Sequence, residues 1–328
     1  MTIGIVYPAG ARSSGNGVSA RRYARFFRSA GNRVRLLERY GGEDLDALVA
    51  LHAKRSGRSA LAFAAAHPDR PLIVVLTGTD LYRDLPKSKL ALRALHVATR
   101  LITLQPAGIA ALPRALRRKA VAIVQSATVA PAPAGTAREP FTVCVIGHLR
   151  AVKDPLRAGY ALRFVPRALP LRVLQIGGAL DPAYAARALA LERREPRYRW
   201  LGELSPARAH GWLRRCDLLV LPSKMEGGAN VLCEAIAAGI PVVASRIGGN
   251  VGILGRSYPG YFPVGDTAAC AALMVRAATD PTYRRTLRAA IVRLRPLVSP
   301  ARERTSWLRM IGSGKARSTA HRGRPVRA

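Results

Sequence analysis

Acidic residues are scarce: the 328-residue chain holds 19 Asp and Glu against 53 Lys and Arg, a formal charge of +34. Long apolar stretches are missing too, and no run approaches the roughly 18 residues that a bilayer-spanning helix needs. Aromatic residues make up 6%, too few for the stacking platforms that hold single-stranded nucleic acid. Cysteine is rare: Cys144, Cys216, Cys233 and Cys270 stand apart in apolar surroundings, with no Cys-x-x-Cys pair. Their spacing argues against a zinc site or a disulfide framework and predicts buried free thiols. No metal site is apparent. The segment 2–6 has no basic region before it and stops short of Pro8. It reads as a strand and not as a signal peptide, so a cytoplasmic location is expected.

The excess of positive charge invites a nucleic-acid reading. Against it, the cations are nearly all arginines, spread along the whole chain, and the sequence is also rich in alanine, as a codon bias would produce. No specific nucleic-acid partner is expected. A field of this sign still concentrates anionic substrates at the surface. Only 312–328 is a local basic run without acids, and it reads as a disordered tail.

What is present is a globular balance, 49% hydrophobic and 22% charged, over a length that suits two domains. Short β-branched runs at 3–6, 34–37, 48–51, 72–76, 101–104 and 121–124 read as strands. Helical patterns at 18–30, 59–67, 90–98 and 109–116 lie between them. A Pro/Ala/Gly-rich stretch within 130–140 interrupts the alternation and reads as a linker. The alternation then resumes, with strands at 141–146, 171–176, 198–201, 218–221 and 241–244 and helices at 155–165, 183–193, 206–215 and 231–238. The expectation is an α/β protein of two Rossmann-like, doubly wound domains, 1–129 and 141–298, facing each other across a crevice. An amphipathic helix at 299–311, with Trp307 as its largest apolar anchor, precedes the tail.

The chemistry concentrates in 221–245. A strand ends at Pro222, a loop carries Glu226, Gly227 and Gly228, and a helix runs from about Ala229 to a terminating Gly239. The two glycines let backbone approach a ligand closely. The helix start at Ala229, Asn230 and Val231 offers unpaired N–H groups and a positive dipole end to phosphate oxygens. Glu226 and Glu234, with seven residues between them, are placed to accept from two sets of sugar hydroxyls on either side of a diphosphate. An isolated pair of this kind serves equally well as a first-turn acid and a solvated helix residue. Here Glu234 is flanked by Val231, Leu232, Ala235 and Ile236, a setting in which a carboxylate needs partners.

Two weaker signals lie in the first domain. Gly10, Gly15 and Gly17 surround Ser13, Ser14 and Asn16 after the first strand, a loop that either cradles an anion or simply turns. Thr77, Thr79, Asp80 and Arg83 follow the strand 72–76. The threonines and Arg83 can bind an anion, and Asp80 is either a base or a cap. Arg12, Arg21 and Arg22 join Arg83 as cations expected near the crevice edge.

The segment 141–255 resembles the donor half of the GT-B glycosyltransferases that carry Glu, seven residues, Glu. The likeness rests on Glu226 to Glu234 and on the continuation through Gly239 and Pro241-Val242-Val243. By that resemblance Glu226 contacts the transferred sugar, backbone from Gly227 to Val231 meets sugar and phosphate, and Glu234 holds the ribose. The resemblance also covers Gly147, Leu149 and Lys153, where family members carry Gly-Arg-Leu, three residues, then Lys. Lys153 matches, His148 stands in place of the Arg, and Arg150 is a candidate to compensate. Lys153 and His148 would stabilise the leaving diphosphate, so no metal or other cofactor is expected beyond the nucleotide sugar as co-substrate. The alternative for Lys153 is a solvated first-turn lysine.

Over nearly the full length the chain resembles the selenosugar synthases of selenoneine biosynthesis. The likeness lies in Leu51-His52-Ala53, 76–86, Gln125-Ser126-Ala127, Gly147-His148-Leu149-Arg150 and 258–266. It implies a UDP-sugar donor, typically UDP-N-acetylglucosamine, a small anionic acceptor, selenophosphate, and the products 1-selenosugar, UDP and phosphate. Transfer to a cell-envelope carbohydrate is the other reading the donor motif allows.

Overall fold

The computed structural model describes residues 1–8, 15–132 and 139–312. Gly10, Arg12, Ser13 and Ser14, the linker positions 133–138 and the tail from 313 lie outside the described residues. The chain divides into two compact units, 1–125 together with the stretch from 300, and 126–299.

The first unit holds β1 (Thr2–Val6), β2 (Arg33–Leu37), β3 (Ala47–Leu51), β4 (Leu72–Leu76), β5 (Arg100–Thr103) and β6 (Ala120–Ala122). They form one six-stranded sheet in the order β2-β1-β3-β4-β5-β6, with every pairing parallel. β3 and β4 are buried along their whole length, as strands covered on both faces must be. Successive side chains go to opposite layers: Leu48, Ala50, Leu72 and Val74 enter one core, Val49, Leu51, Ile73 and Val75 the other.

The second core also contains Trp307 and Ile311 from the final helix, Pro300–Gly312. The Trp307 ring lies 4.3 Å from that of Tyr23 and 5.8 Å from that of Phe27, both on the helix Gly15–Arg28. Beside them Arg22 Nε sits 3.0 Å from the buried Glu303 carboxylate, so Arg22 is a structural cation and not one at a site edge. Burial, and then the neighbouring Glu303, pushes the Tyr23 phenol up to about 12.

The second unit holds β7 (Phe141–Ile146), β8 (Leu171–Ile176), β9 (Tyr198–Trp200), β10 (Leu218–Leu221), β11 (Val242–Ser245) and β12 (Tyr261–Phe262). Its sheet is again parallel, in the order β12-β11-β10-β7-β8-β9. Two Rossmann-like α/β units are thus present, as the alternation of runs implies. The periodicity misplaces one helix: 109–116 is two short turns, Ala107–Ala110 and Arg114–Arg117. Pro113 lies between them, extended and without an N–H, and breaks the helical ladder. The helices Gly248–Leu254, Thr267–Thr279 and Pro281–Arg293 complete the unit. The last two are capped by the Asp266 and Asp280 side chains. All four cysteines are buried and free. No described helix is long and apolar enough to cross a membrane.

Candidate functional site

Strand order locates the site. In the second unit the chain runs from β7 outward through β8 and β9, then returns to the other side of β7 as β10. The carboxyl ends of β7 and β10 therefore flank the topological switch point, where an open parallel sheet leaves a crevice. The loops there are Gly147–Lys153 and Pro222–Gly228, which contain the residues singled out from the sequence.

These loops are tied together. Lys224 N–H donates to Val152 O at 2.9 Å. Lys153 Nζ reaches Glu226 Oε1 at 2.6 Å, across 73 residues of sequence, and Ser223 Oγ donates to the same oxygen at 2.6 Å. Glu226 is 8% exposed, so the carboxylate is held by a cation and a hydroxyl where neither partner is fully solvated. No hydrogen bond to Oε2 occurs among the described residues. A cleft of about 210 Å³ opens against this pair, lined by Ile146, Gly147, Lys153, Leu221, Pro222 and Ser223.

Backbone packed close behind the loops fixes their shape. Gly177 has φ +145°, and a Cβ there would collide with Gly147 O, so only glycine lets the β8 end support the first loop. Gln175 Nε2 donates to the same Gly147 oxygen at 3.0 Å. A Cβ on Gly249 would collide with Glu226 O. The helix Gly248–Leu254 can therefore lie directly against the Glu226 backbone. Ser245 Oγ donates to Ser223 O at 2.5 Å, and Asn250 Nδ2 to Ser245 O at 2.9 Å. Gly177, Gly249, Gln175 and Asn250 carried no recognised signal in the sequence, since their role depends on neighbours remote along the chain.

His148 follows Gly147, with its Nδ1 buried and without a partner among the described residues. Arg150 is exposed on the same loop. The helix Asn230–Ala238 begins directly after the Glu226 loop, with Ala229 as its extended N-cap and Val231 buried. Glu234, on that helix, is not in contact with Lys153. Its carboxylate lies 3.5 Å from His210 Nε2 on the helix Pro206–Arg215. The hydrogen bond to Glu234 raises the His210 imidazole above its usual value, against partial burial. The ion pair's contribution to stability is fully present below the ordinary imidazole pKa and is lost as pH rises through the raised one.

The first unit has its own switch point, between β1 and β3. Gly15, Asn16 and Gly17 open the helix after β1, where Gly15 O accepts from Ser19 Oγ at 2.9 Å. Thr77 and Thr79 are half-buried at the end of β4, and Arg83 is exposed. Asp80 is fully buried, and its oxygens accept from the backbone N–H groups of Ala53, Thr77 and Gly78 at 2.8–2.9 Å. It closes the turn and locks the ends of β3 and β4 together. Arg83 Nε donates to Asp84 at 3.0 Å. The sequence analysis gave no role to His52, the residue around which this group is built: its Nε2 lies 3.1 Å from Thr79 Oγ1 and 3.9 Å from Asp84.

Residues 140–280 match the family described as glycosyl transferases group 1. A D-inositol 3-phosphate glycosyltransferase of Rhodococcus erythropolis is 31% identical over 120 residues, which are 33% of this chain and 26% of that protein. Protein CapJ of Staphylococcus aureus is 33% identical over 75 residues, 23% of this chain and 19% of its own length. The chain thus spans a quarter or less of these two relatives. Among solved structures, a sucrose-phosphate synthase from Thermosynechococcus elongatus superposes with a TM-score of 0.77 at 17% identity, covering 98% of this chain and 99% of that one. Anabaena HepE in complex with UDP and glucose gives 0.74 at 16% identity, covering 97% and 100%. The fold is GT-B.

Proposed function

We propose that residues 140–280, a group 1 glycosyltransferase domain, bind a UDP-sugar at the switch point of the second sheet, and that the chain transfers the sugar to selenophosphate. The observation that carries the donor part is the contact of Lys153 with Glu226 at 2.6 Å in a cleft beside a helix N-terminus. In that arrangement a cation meets a diphosphate, a carboxylate meets sugar hydroxyls, and the helix start adds N–H groups for phosphate oxygens. Lys153 and His148 stabilise charge on the departing UDP, with Arg150 at the loop's rim. Gly227, Gly228 and the turn through Val231 give the diphosphate a side chain-poor approach. Glu234 takes the ribose diol.

The sugar is N-acetylglucosamine and the acceptor selenophosphate, a reading supported by the full-length sequence resemblance. Selenium attacks the anomeric carbon as the bond to the diphosphate oxygen breaks, and UDP leaves with the electron pair. Water then releases phosphate from selenium, leaving the 1-selenosugar. An acceptor that already carries negative charge needs no general base, so positioning and leaving-group stabilisation do the work. Likeness to the D-inositol 3-phosphate glycosyltransferase favours a second reading, transfer to a carbohydrate such as one of the cell envelope. Anaerobic incubation of the purified chain with UDP-N-acetylglucosamine, with and without selenophosphate, separates them by mass spectrometry. Selenosugar with UDP, formed only when both are present, is the expected result. UDP release that ignores selenophosphate would leave the donor site standing and sink the acceptor. Turnover is expected to survive EDTA, because Lys153 occupies the place a metal would fill.

His210 adds a pH dependence. Below its raised pKa it holds Glu234 as an ion pair, and ribose must compete for that carboxylate. The donor KM is expected to fall as pH rises through the His210 titration, and His210→Phe to flatten that slope. A slope unchanged in the variant would assign it elsewhere.

A further inference from the structure

We infer that His52 is a positioning residue that fixes the Thr79 hydroxyl as a hydrogen-bond donor, and that the group receiving this bond is an acceptor that arrives negatively charged. The inference rests on the glycosyl transfer proposed above, and it names the acceptor class and a residue that serves it.

The two ring nitrogens of His52 have different neighbours. Arg55 N–H donates to Nδ1 at 3.3 Å, so Nδ1 carries no proton. The network thereby assigns the ring proton to Nε2, which faces Thr79 Oγ1 at 3.1 Å. Nε2–H donates, and Thr79 Oγ1 accepts. The hydroxyl's own hydrogen is then left for another partner, and none is found among the described residues. Burial keeps the imidazole below its ordinary pKa, against the pull of Asp80 and Asp84. The neutral tautomer therefore persists, and with it the direction of the bond.

The position is one at which a ligand is expected. His52 directly follows β3, beside the switch point between β1 and β3. It is 3% exposed and holds φ at +75°, a left-handed conformation that costs a β-carbon-bearing residue free energy. Asparagine or glycine would meet the backbone demand more cheaply, so the imidazole itself is what the site retains. Around Thr79 the group offers donors: the half-buried Thr77 hydroxyl and the exposed Arg83 guanidinium, anchored at Nε by Asp84. A base is not on offer from Asp80, whose oxygens are taken by three backbone N–H groups. A neutral hydroxyl acceptor has to shed a proton during transfer, whereas an anion does not. Donors without a free base suit the anion.

The test is calorimetric titration of the full chain with inorganic phosphate, in the presence of UDP and at a salt concentration that screens nonspecific binding. Wild type is expected to bind phosphate. His52→Phe and Thr79→Val each weaken it about tenfold, the scale of one charge-assisted hydrogen bond. The double variant is no weaker than either single one, because both remove the same bond. His52→Gln, whose amide N–H can replace Nε2–H, restores most of the affinity, and UDP binding is the same in all. Unchanged phosphate affinity in His52→Phe overturns the inference, as does a wild type that binds UDP and not phosphate. Should His52→Phe fail to fold, Thr79→Val decides by the same criterion. Phosphate bound without UDP binding would instead strike the donor-site reading.

Discussion

Lys153→Ala is expected to lower turnover by about 10²–10³-fold, the usual loss when one preorganised donor to a developing negative charge is removed. In the ligand-free protein the lysine is 21% exposed and rests on Glu226. That contact orients both groups without spending either, since the ammonium has three protons and Glu226 Oε2 is unengaged among the described residues. When a diphosphate enters, the ammonium can add phosphate oxygens to its contacts and Glu226 can turn its second oxygen to a sugar hydroxyl. Glu226→Ala is expected to cost as much as Lys153→Ala, and the double variant little more than either, because the two act as one unit. Stability should change far less than rate, as Ser223 still holds Glu226 when the lysine is gone. Steady-state UDP release for the three variants checks this. Near-wild-type turnover in Lys153→Ala would remove the clamp from the mechanism.

Trp307→Ala should be the most damaging single truncation for stability, at about 3–5 kcal/mol. The side chain is fully buried, in a core shared with Tyr23, Phe27 and the β1 residues Ile3 and Ile5. Its removal leaves a large cavity between the last helix and the helix Gly15–Arg28, and loosens the seat of the Arg22–Glu303 pair. Hydrogen exchange resolves the effect by region. Protection in β1, β3 and β4 should drop, while β7, β8 and β10 keep theirs. A uniform loss through both units would contradict the assignment of this helix to the first one.

Local pattern made much of this fold legible, and the reason is the sheet type. Strands buried on both faces read as unbroken runs such as Leu72–Leu76 and Leu218–Leu221, and such runs admit few alternatives. The donor loop was legible because its parts are contiguous: Glu226, two glycines, a helix start and Glu234 follow one another. The contact of Lys153 with Glu226 was not, because it depends on β10 returning beside β7. Strand order is a global property that no window of sequence contains. The same holds for Gly249, whose missing side chain matters only because the Glu226 backbone comes to lie against it. His52 was hidden differently. A lone histidine after an apolar strand has no periodic signature, and its meaning comes from Arg55, Thr79 and Asp84 converging on one ring. Asp80 shows the reverse: a conspicuous carboxylate turned out to be occupied by backbone.

During synthesis, residues 1–125 leave the ribosome first, yet the sheet they form lacks Trp307 until Pro300–Gly312 emerges. The second unit, continuous from Ser126 to Ser299, has all its strands available before that helix is made. The order of completion is therefore opposite to the order of translation. The nascent amino-terminal part waits with one apolar layer partly uncovered, and the helix that seals it is among the last segments the ribosome delivers.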